Sequence, residues 1–384
     1  MRILHTSDWH IGRTFHGNST MDALAEVLGA LTAQVRENAV DVVIVAGDVF
    51  DSATPAGAAY TLLSDALVGI HEAGARVIVT SGNHDSAARL GFQSRLLREG
   101  IHVLTDPLAI GTPVTLGDDD GPVHFYGVPY LEPAIVRQHW GGVELRTQAQ
   151  TLAHAMELVR TGMRENGGRS VAIAHCFAAG VDATIGLERE VRQGGLDVVP
   201  LSVFDGPDYV ALGHIHGRQR VSDRVRYSGA PLHYSFGEQD KPRGSWLVDL
   251  DASGLSAVEW LDLPVPRRLV TLTGELDEIL SAENVAAHAD DWVCAVYTDP
   301  LAQTEPMRRL RERYPHCAMV QHQPADSLER SERSYTDRLR GAVTDTERIG
   351  AFLEHVRSGH GPTEREDDLI REVLEDRVRA EALV

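Results

Sequence analysis

The stretch Ala46–Asp51, which reads AGDVFD, decides the fold because it joins the end of a buried strand to a carboxylate. The apolar run Val42–Val45 is typical of a strand that is covered on both faces. The chain then breaks at Gly47 and presents Asp48 past the strand, at the edge where open α/β sheets usually bind ligands. A carboxylate has two oxygens and can bridge two metal ions. Asp48 is therefore the candidate centre of a metal site.

Two neighbouring strands also end in polar clusters. Strand 2–7 is followed by DWH, and because residues two apart at a strand end face the same way, Asp8 and His10 can hold one metal ion together. Strand 76–80 is followed by GNHD, which contains Asn83. Alone, an Asp-x-His is usually a solvated carboxylate beside a packed histidine, and such an asparagine is usually a turn residue. Three clusters after three successive strands favour a shared site.

Further along the chain, strand ends supply histidines. The run 171–174 leads to His175, and the run Tyr209–Leu212 leads to GHIH, in which His214 and His216 are again two apart. Nitrogen and oxygen ligands without thiolates suit Mn²⁺, Fe²⁺ or Zn²⁺. Two ions about 4 Å apart can activate a water and stabilise the attacking and leaving oxygens of a phosphoester. The pattern predicts a two-metal phosphoesterase site.

His84 stands beside Asn83 but has no clear place among the metal ligands. We expect it to protonate or hydrogen-bond the leaving oxygen, with Asp85 orienting its ring and raising its basicity. No nucleophilic serine or cysteine is required, and the sequence contains neither a nucleophile elbow nor a Walker loop.

The composition is that of a globular cytoplasmic protein. At 384 residues the chain can form more than one domain, and 43% hydrophobic and 24% charged residues are ordinary values. No apolar run approaches the ~18 residues that span a bilayer, and the first residues lack a signal-peptide pattern. Three widely spaced cysteines argue against a disulfide framework and fit a reducing compartment. We expect no contact with a membrane.

The net charge of −20, from 36 basic and 56 acidic residues, argues against a nucleic-acid ligand. Metal ions, local basic patches or a partner protein could supply the missing positive charge. The charge therefore limits a nucleic-acid interpretation without excluding it.

The segments after the last metal motif divide into three parts. Ser245–Leu250 is expected to be the last strand of the first domain, and Pro264 and Pro266 mark a linker. The pattern beyond it predicts a small α/β module with no metal or catalytic motif, and the charged stretch Ser327–Arg340 predicts a second linker. Two amphipathic helices follow, with capping boxes at Thr344/Glu347 and Thr363/Glu366. Such helices either dock on a partner or pack on their own domain, and the pattern favours neither.

In order and spacing, the polar clusters resemble the signature of the calcineurin-like metallophosphoesterase family. The motifs are Asp8-x-His10, Gly47-Asp48-x-x-Asp51, Gly82-Asn83-His84-Asp85, His175 and Gly213-His214-x-His216. The stretches 1–13, 44–51, 81–85 and 228–238 resemble in particular the bacterial SbcD nuclease branch. The resemblance is strong to about residue 245 and is one of layout beyond it.

The resemblance implies a four-layer α/β fold, a β-sandwich of two packed sheets flanked by helices, over residues 1–262. It implies a small α/β cap domain that helps to bind DNA at 267–325, and a helical region at 341–384 that docks on an SbcC-like coiled-coil ATPase. One metal ion would be held by Asp8, His10, Asp48 and His216, and the other by Asp48, Asn83, His175 and His214. Mn²⁺ is the expected metal.

The leading hypothesis is a metal-dependent DNA nuclease subunit that acts in repair and recombination. It would be an exonuclease on duplex ends and an endonuclease on single strands and hairpins, working as a homodimer within a heterotetramer. His84 matches the leaving-group histidine of the family, whereas the role of Asp51 stays open. The alternatives are a small-molecule phosphodiesterase or phosphatase on the same fold, and a non-catalytic scaffold for the ATPase.

Overall fold

The chain divides into two units, Met1–Arg268 and Leu269–Val384. The computed structural model describes residues 1–141, 143, 145–179, 198–324, 344–356 and 361–381. The linker predicted at Ser327–Arg340 lies outside the described residues. The domain boundaries predicted at residues 262, 267, 325 and 341 stay predictions. The division into two units gives one boundary, between Arg268 and Leu269, and does not test the four separately.

Strands and helices alternate in the first part of the first unit, and strands dominate the rest of it. Its strands are β1 (Arg2–Thr6), β2 (Thr14–Phe15), β3 (Asn18–Ser19), β4 (Val42–Ala46), β5 (Arg76–Thr80), β6 (Ile101–Leu104), β7 (Val114–Asp118), β8 (Gly121–Gly127), β9 (Arg169–His175), β10 (Phe177–Ala178), β11 (Val198–Val199), β12 (Tyr209–Gly213), β13 (Gln219–Arg220), β14 (Val225–Tyr227), β15 (Gly244–Asp251) and β16 (Gly254–Asp262). Its α-helices are α1 (Met21–Glu37), α2 (Gly57–Glu72), α3 (Ala87–Leu90), α4 (Pro133–Val136) and α5 (Gln148–Asn166).

Two six-stranded sheets form the centre of this unit. The first has the order β16-β15-β1-β4-β5-β6, with β1, β4, β5 and β6 parallel and β15 and β16 antiparallel to their neighbours. The second has the order β13-β14-β12-β9-β8-β7, with β14, β12, β9 and β8 parallel. The parallel strands end at one edge of each sheet, so the residues that follow them lie near one another.

The apolar side chains form three layers of core between four layers of structure. Ile44 of β4 and Ile173 of β9 belong to one cluster that fills the space between the two sheets. The outer face of the first sheet packs against α1 and α2, with Leu24 and Leu67 in that cluster. The outer face of the second sheet packs against α5 through residues such as Met156. This is the four-layer arrangement that the family resemblance implied.

The sequence does not predict the strand at the end of this unit. Ser245–Leu250 was expected to be the last strand of this domain, but β16 follows it and pairs with β15 in an antiparallel hairpin. Along β16 only Gly254 is buried, and the other positions are partly buried or exposed. Ser256 and Glu259 interrupt its apolar residues, so this edge strand lacks the continuous apolar run that marks the central strands.

The second unit contains a three-stranded parallel sheet. Its strands β17 (Leu269–Gly274), β18 (Trp292–Tyr297) and β19 (Cys317–His322) lie in chain order. The helices α6 (Leu276–Ile279), α7 (Ala282–His288) and α8 (Pro306–Arg313) connect them. Leu276, Val293, Leu310 and Tyr314 lie in its core.

Two further helices, α9 (Asp345–Val356) and α10 (Glu364–Glu381), follow in the second unit. Both begin with the predicted capping box: Thr344 and Glu347 exchange hydrogen bonds, as do Thr363 and Glu366. The apolar faces of these two helices are partly exposed to solvent: Phe352 is 48%, Leu369 52% and Val373 66% exposed. No described helix is both long and apolar enough to cross a bilayer.

Candidate metal centre

The loops after β1 and β4 run side by side and place their carboxylates together. The N–H of Asp8 donates to the carbonyl of Gly47, and the N–H of His10 donates to the carbonyl of Asp48, at 3.1 and 3.0 Å. Asp8, His10 and Asp48 are almost fully buried. The two loops therefore continue the pairing of their parallel strands beyond the sheet, which fixes the side chains.

The backbone around these side chains is held in an unfavourable conformation. Asp8, His10, Asp48 and His214 all have positive φ, a region that residues with a Cβ seldom adopt. Such strain persists only where the surrounding structure imposes it, and it clusters at functional sites. Gly82 shows how close the loops lie, because a Cβ there would clash with Oδ1 of Asp48.

The first half of the centre is built around Asp8, His10 and His216. One nitrogen or oxygen from each lies within 4.8 Å of the others. Nε2 of His10 and Nε2 of His216 are 3.1 Å apart, and Oδ2 of Asp48 is 3.6 Å from Nε2 of His10. Asp8 is held by the hydroxyl of Ser7 and by the N–H of His214, which donates to Oδ1 at 2.9 Å.

The second half contains Asn83, His175 and His214. Oδ1 of Asn83 lies 3.0 Å from Nε2 of His175 and 3.1 Å from Nδ1 of His214. Oδ2 of Asp48 lies 3.3 Å from Nε2 of His175, so this carboxylate faces both halves. The structure thus brings all seven predicted ligands to one place.

The charges of these groups depend strongly on each other. Burial of the His175 ring opposes its protonation, but the carboxylates of Asp48 and Asp8 raise the pKa of His175 to about 9. Burial, together with the charge of His175, lowers the pKa of His214 to about 3. Burial opposes the charge of Asp48 as well, yet the surrounding histidines hold its pKa below the usual range. The centre therefore keeps a negative carboxylate beside both a ring that holds its proton, His175, and a ring that stays neutral, His214.

The arrangement fits bound cations on the evidence of its own atoms. Nδ1 of His216 faces Oε1 of Glu238 at 3.2 Å, so the ring donates its N–H there and turns a lone pair toward His10. Nδ1 of His175 faces the carbonyl of Ala46 at 3.0 Å, so once the ring is neutral its proton lies on Nδ1 and Nε2 is left as an acceptor. Two ring nitrogens 3.1 Å apart repel each other unless a proton or a metal ion lies between them. The donor set of carboxylate, amide and imidazole suits a divalent ion.

The expected pairing of Asp85 with the ring of His84 is wrong. Nδ1 of His84 instead faces the backbone carbonyl of Asp51 at 3.1 Å. The carboxylate of Asp85 accepts the backbone N–H groups of Val49, Phe50 and Gly82 at 2.8 to 3.1 Å. Burial and the charge of Asp48 raise the pKa of Asp85 to about 6. Asp85 therefore ties the loop after β4 to the loop after β5, because the backbone N–H groups of both loops donate to its carboxylate.

His84 lies at the edge of the centre and is only half-buried. Its ring meets the ring of His10 edge to face, with centroids 4.8 Å apart. It also forms a group with His10 and Asp48 whose nitrogen and oxygen atoms lie within 4.8 Å of one another. Because Nδ1 is occupied by the carbonyl of Asp51, Nε2 is the atom that is available for a substrate or an ion.

Sequence reasoning missed the pair of Glu238 and Arg243 behind His216. Glu238 is 2% exposed, accepts the N–H of Tyr234 at 3.1 Å and binds Arg243 at 3.0 Å. Burial opposes its charge, but His216 and Arg243 hold the pKa of Glu238 at about 2. The sequence contains one signal for it, because Glu238 is the last residue of the stretch 228–238, which carries part of the family resemblance.

Two family models match the chain. The calcineurin-like phosphoesterase model matches residues 1–218, which is more than half of the chain and includes all seven candidate ligands. The chain therefore belongs to the calcineurin-like phosphoesterase family, whose fold implies divalent metal ions. The second model, SbcD_C, described as the type 5 capsule protein repressor C-terminal domain, matches residues 265–357. Together the two domains are those of an SbcD-type protein, which confirms the resemblance seen in the motifs.

Solved structures of similar proteins cover about two thirds of the chain. The protein TT1561 of Thermus thermophilus is 13% identical, with a TM-score of 0.39, over 68% of this chain and 98% of that one. A dimetal phosphatase from Danio rerio is 15% identical, with a TM-score of 0.38, over 68% and 98%. An archaeal phosphodiesterase is 16% identical, with a TM-score of 0.30, over 68% and 100%. The family assignment rests on the sequence models.

Proposed function

We propose that this protein is the metal-dependent nuclease subunit of a DNA-processing complex with an SbcC-like ATPase. It hydrolyses DNA phosphodiesters as an exonuclease on duplex ends and as an endonuclease on single strands and hairpins. One observation carries the proposal: oxygen and nitrogen ligands from the ends of β1, β4, β5, β9 and β12 lie together in one site. The chain that holds this site matches the calcineurin-like phosphoesterase model and also an SbcD-type C-terminal domain. The proposed setting is DNA repair and recombination in the cytoplasm.

The proposed ligands are those of the family signature. Asp8, His10, Asp48 and His216 would hold one ion, and Asp48, Asn83, His175 and His214 the other, with Mn²⁺ as the proposed metal. When bound, the ions supply Lewis acidity toward a phosphate and a water. Oδ2 of Asp48 lies 3.6 Å from His10 and 3.3 Å from His175, a position that supports its role as the shared ligand.

His84 is the proposed proton donor to the leaving oxygen. The carbonyl of Asp51 fixes the proton of His84 on Nδ1 when the ring is neutral, so a second proton is carried and released at Nε2. The residue is half-buried, which supports contact between its ring and a substrate. Asp85 keeps a structural part in this proposal, as the residue that ties the loops of Val49 and Gly82 together.

The helices α9 and α10 are the proposed docking element for the ATPase. Full burial of a large apolar side chain gives ~1.5–3 kcal/mol, and a partner would gain about half of that from each of Phe352, Leu369 and Val373, which are 48% to 66% exposed. The proposed assembly is a homodimer of this chain within a heterotetramer. DNA, with the cap domain as an additional contact surface, is the proposed substrate.

A nuclease assay tests the proposal. The full chain is incubated with linear duplex DNA, hairpin DNA and an aryl phosphodiester, in Mn²⁺ or in EDTA, with and without the ATPase. We expect Mn²⁺-dependent cleavage of all three substrates by the wild type and no cleavage by His214→Ala. Cleavage of the aryl phosphodiester alone would identify a small-molecule phosphodiesterase. No cleavage of any substrate, together with binding to the ATPase, would identify a scaffold.

A further inference from the structure

Asp51 lies at the point where the loops after β1 and β4 meet. The N–H of Ile11 donates to the carbonyl of Val49 at 2.9 Å, and the N–H of Asp51 donates to the carbonyl of Ile11 at 3.2 Å. The backbone of Asp51 is thus held by the same pairing that positions Asp8, His10 and Asp48. The family signature includes this position, but the sequence alone assigned it no role.

The carboxylate of Asp51 faces Nδ1 of His10, the ring nitrogen on the side away from the candidate metal centre (the outer nitrogen). Oδ1 of Asp51 lies 3.3 Å from Nδ1 of His10. That nitrogen is fully buried and makes no hydrogen bond of normal geometry in the described residues, so Asp51 is the acceptor to which a small rotation would bring it. Arg13 donates to the same oxygen at 3.2 Å, and its guanidinium lies 4.9 Å above the ring of Tyr234. Arg13 therefore restrains the carboxylate from the other side.

The backbone carbonyl of Asp51 holds a second functional ring. It accepts Nδ1–H of His84 at 3.1 Å, and the rings of His84 and His10 are in contact at 4.8 Å. One residue thus contacts the outer nitrogens of both histidines, by its side chain in one case and its main chain in the other.

The carboxylate of Asp51 repeats an arrangement found behind His216. There Glu238 faces Nδ1 of the ring at 3.2 Å and is held by Arg243 at 3.0 Å. Both rings therefore have a carboxylate at Nδ1 and an arginine behind it, and their Nε2 atoms face each other at 3.1 Å. The pair behind His216 is buried, with side chains 3% and 1% exposed, whereas the side chains of Asp51 and Arg13 are 31% and 28% exposed.

We propose that Asp51 is a positioning residue with two separate contacts. Its carboxylate orients His10 as a metal ligand, and its carbonyl orients His84 toward the leaving group. The inference rests on the proposed function, because it assumes that His10 binds metal and that His84 assists hydrolysis. A carboxylate on the far nitrogen of a ligating histidine fixes the tautomer and raises the basicity of the ring.

The two contacts are separated by Asp51→Ala, which removes the carboxylate and keeps the carbonyl. We expect one of two Mn²⁺ equivalents to bind about 10- to 100-fold more weakly in calorimetric titration, since that is the usual cost of losing such a partner. Turnover of an aryl phosphodiester at saturating Mn²⁺ should remain within about 3-fold of the wild type, because the carbonyl still holds His84. Asp51→Asn keeps an acceptor oxygen without the charge, so its Mn²⁺ affinity should lie between those of the wild type and Asp51→Ala.

The matched control is Asp119→Ala, an exposed aspartate in the turn between β7 and β8. It should leave both Mn²⁺ affinities and turnover unchanged. Unchanged Mn²⁺ binding in Asp51→Ala and Asp51→Asn, with wild-type circular dichroism, would overturn the role of the carboxylate. A loss of turnover of about 100-fold in Asp51→Ala at full metal occupancy would overturn the claim that the side chain serves only His10 and the carbonyl serves His84. If the wild type itself binds no Mn²⁺, the proposed function fails, and this proposal fails with it.

Discussion

Parallel strands in both units end in aspartates and histidines, but only those of the first unit build a candidate site among the described residues. In the second unit Asp299 follows β18, and its carboxylate accepts the N–H of Leu276 at 2.7 Å and the amide of Gln303 at 2.8 Å. His322 ends β19, bonds to the carbonyl of Asp299 at 2.8 Å and stacks on Tyr297 at 4.5 Å. These polar groups are satisfied by their own surroundings.

In the first unit the side chains at the strand ends leave some of each other's hydrogen-bonding atoms without a good partner. The Nε2 atoms of His10 and His216 face each other at 3.1 Å, and Nδ1 of His10 lacks a hydrogen bond of normal geometry within the described part of the chain. The backbone at Asp8 and Asp48 is strained in the same place. The difference teaches that polar residues at strand ends indicate a site only where their lone pairs converge and remain available.

The largest effect is expected from His214→Ala. It removes a ligand of the second half of the centre and should reduce phosphodiester hydrolysis by more than the roughly 100-fold that loss of an outer partner costs. The fold should remain, because His214 is a residue of the loop after β12 rather than of the apolar core. The measurement is turnover of an aryl phosphodiester beside a thermal unfolding curve.

The matched variant in the second unit is Asp299→Ala. It removes a strand-end carboxylate of the same kind and should leave turnover unchanged. Equal losses of turnover in both variants would erase the distinction between the two sets of strand ends.

A smaller effect is expected from His84→Gln. Turnover should fall by roughly 10²-fold, the usual contribution of a positioned proton donor. Mn²⁺ stoichiometry should stay unchanged, because the seven proposed ligands remain. Parallel loss of metal and activity would instead make His84 a ligand, a role that its 4.8 Å grouping with His10 and Asp48 allows.

Glu238→Gln should weaken Mn²⁺ binding by about 10-fold, because the ring of His216 loses the carboxylate at its outer nitrogen. It should also lower the unfolding midpoint, since Arg243 then keeps its charge in a buried position without that carboxylate. Calorimetric titration well below the midpoint separates the two effects. An unchanged affinity would show that His216 does not depend on this partner.

The smallest effect on hydrolysis is expected from deletion of residues 341–384. Cleavage of the aryl phosphodiester in Mn²⁺ should persist, because all proposed ligands lie in Met1–Arg268. Association with the ATPase, measured by co-purification, should be lost. Binding at undiminished affinity would contradict the docking proposal, and loss of hydrolysis would assign these helices to the catalytic part of the chain.

The sequence predicted those parts of the site that depend on local pattern. Apolar runs mark β1, β4, β5, β9 and β12, and the residues after them are the candidate ligands. Glu238 could not be placed, because it meets His216 through a loop whose path no local pattern describes. Asp85 was misassigned for a related reason: backbone N–H groups of a loop more than thirty residues earlier compete for its oxygens.

The most direct test of the central claim is the number of Mn²⁺ ions that the full chain binds. Elemental analysis after equilibration with saturating Mn²⁺ and removal of free metal should give two equivalents per chain for the wild type. It should give fewer for Asp48→Ala, because the carboxylate that faces both halves is then absent. Fewer than one equivalent in the wild type would contradict the account of the strand-end cluster as a two-metal centre.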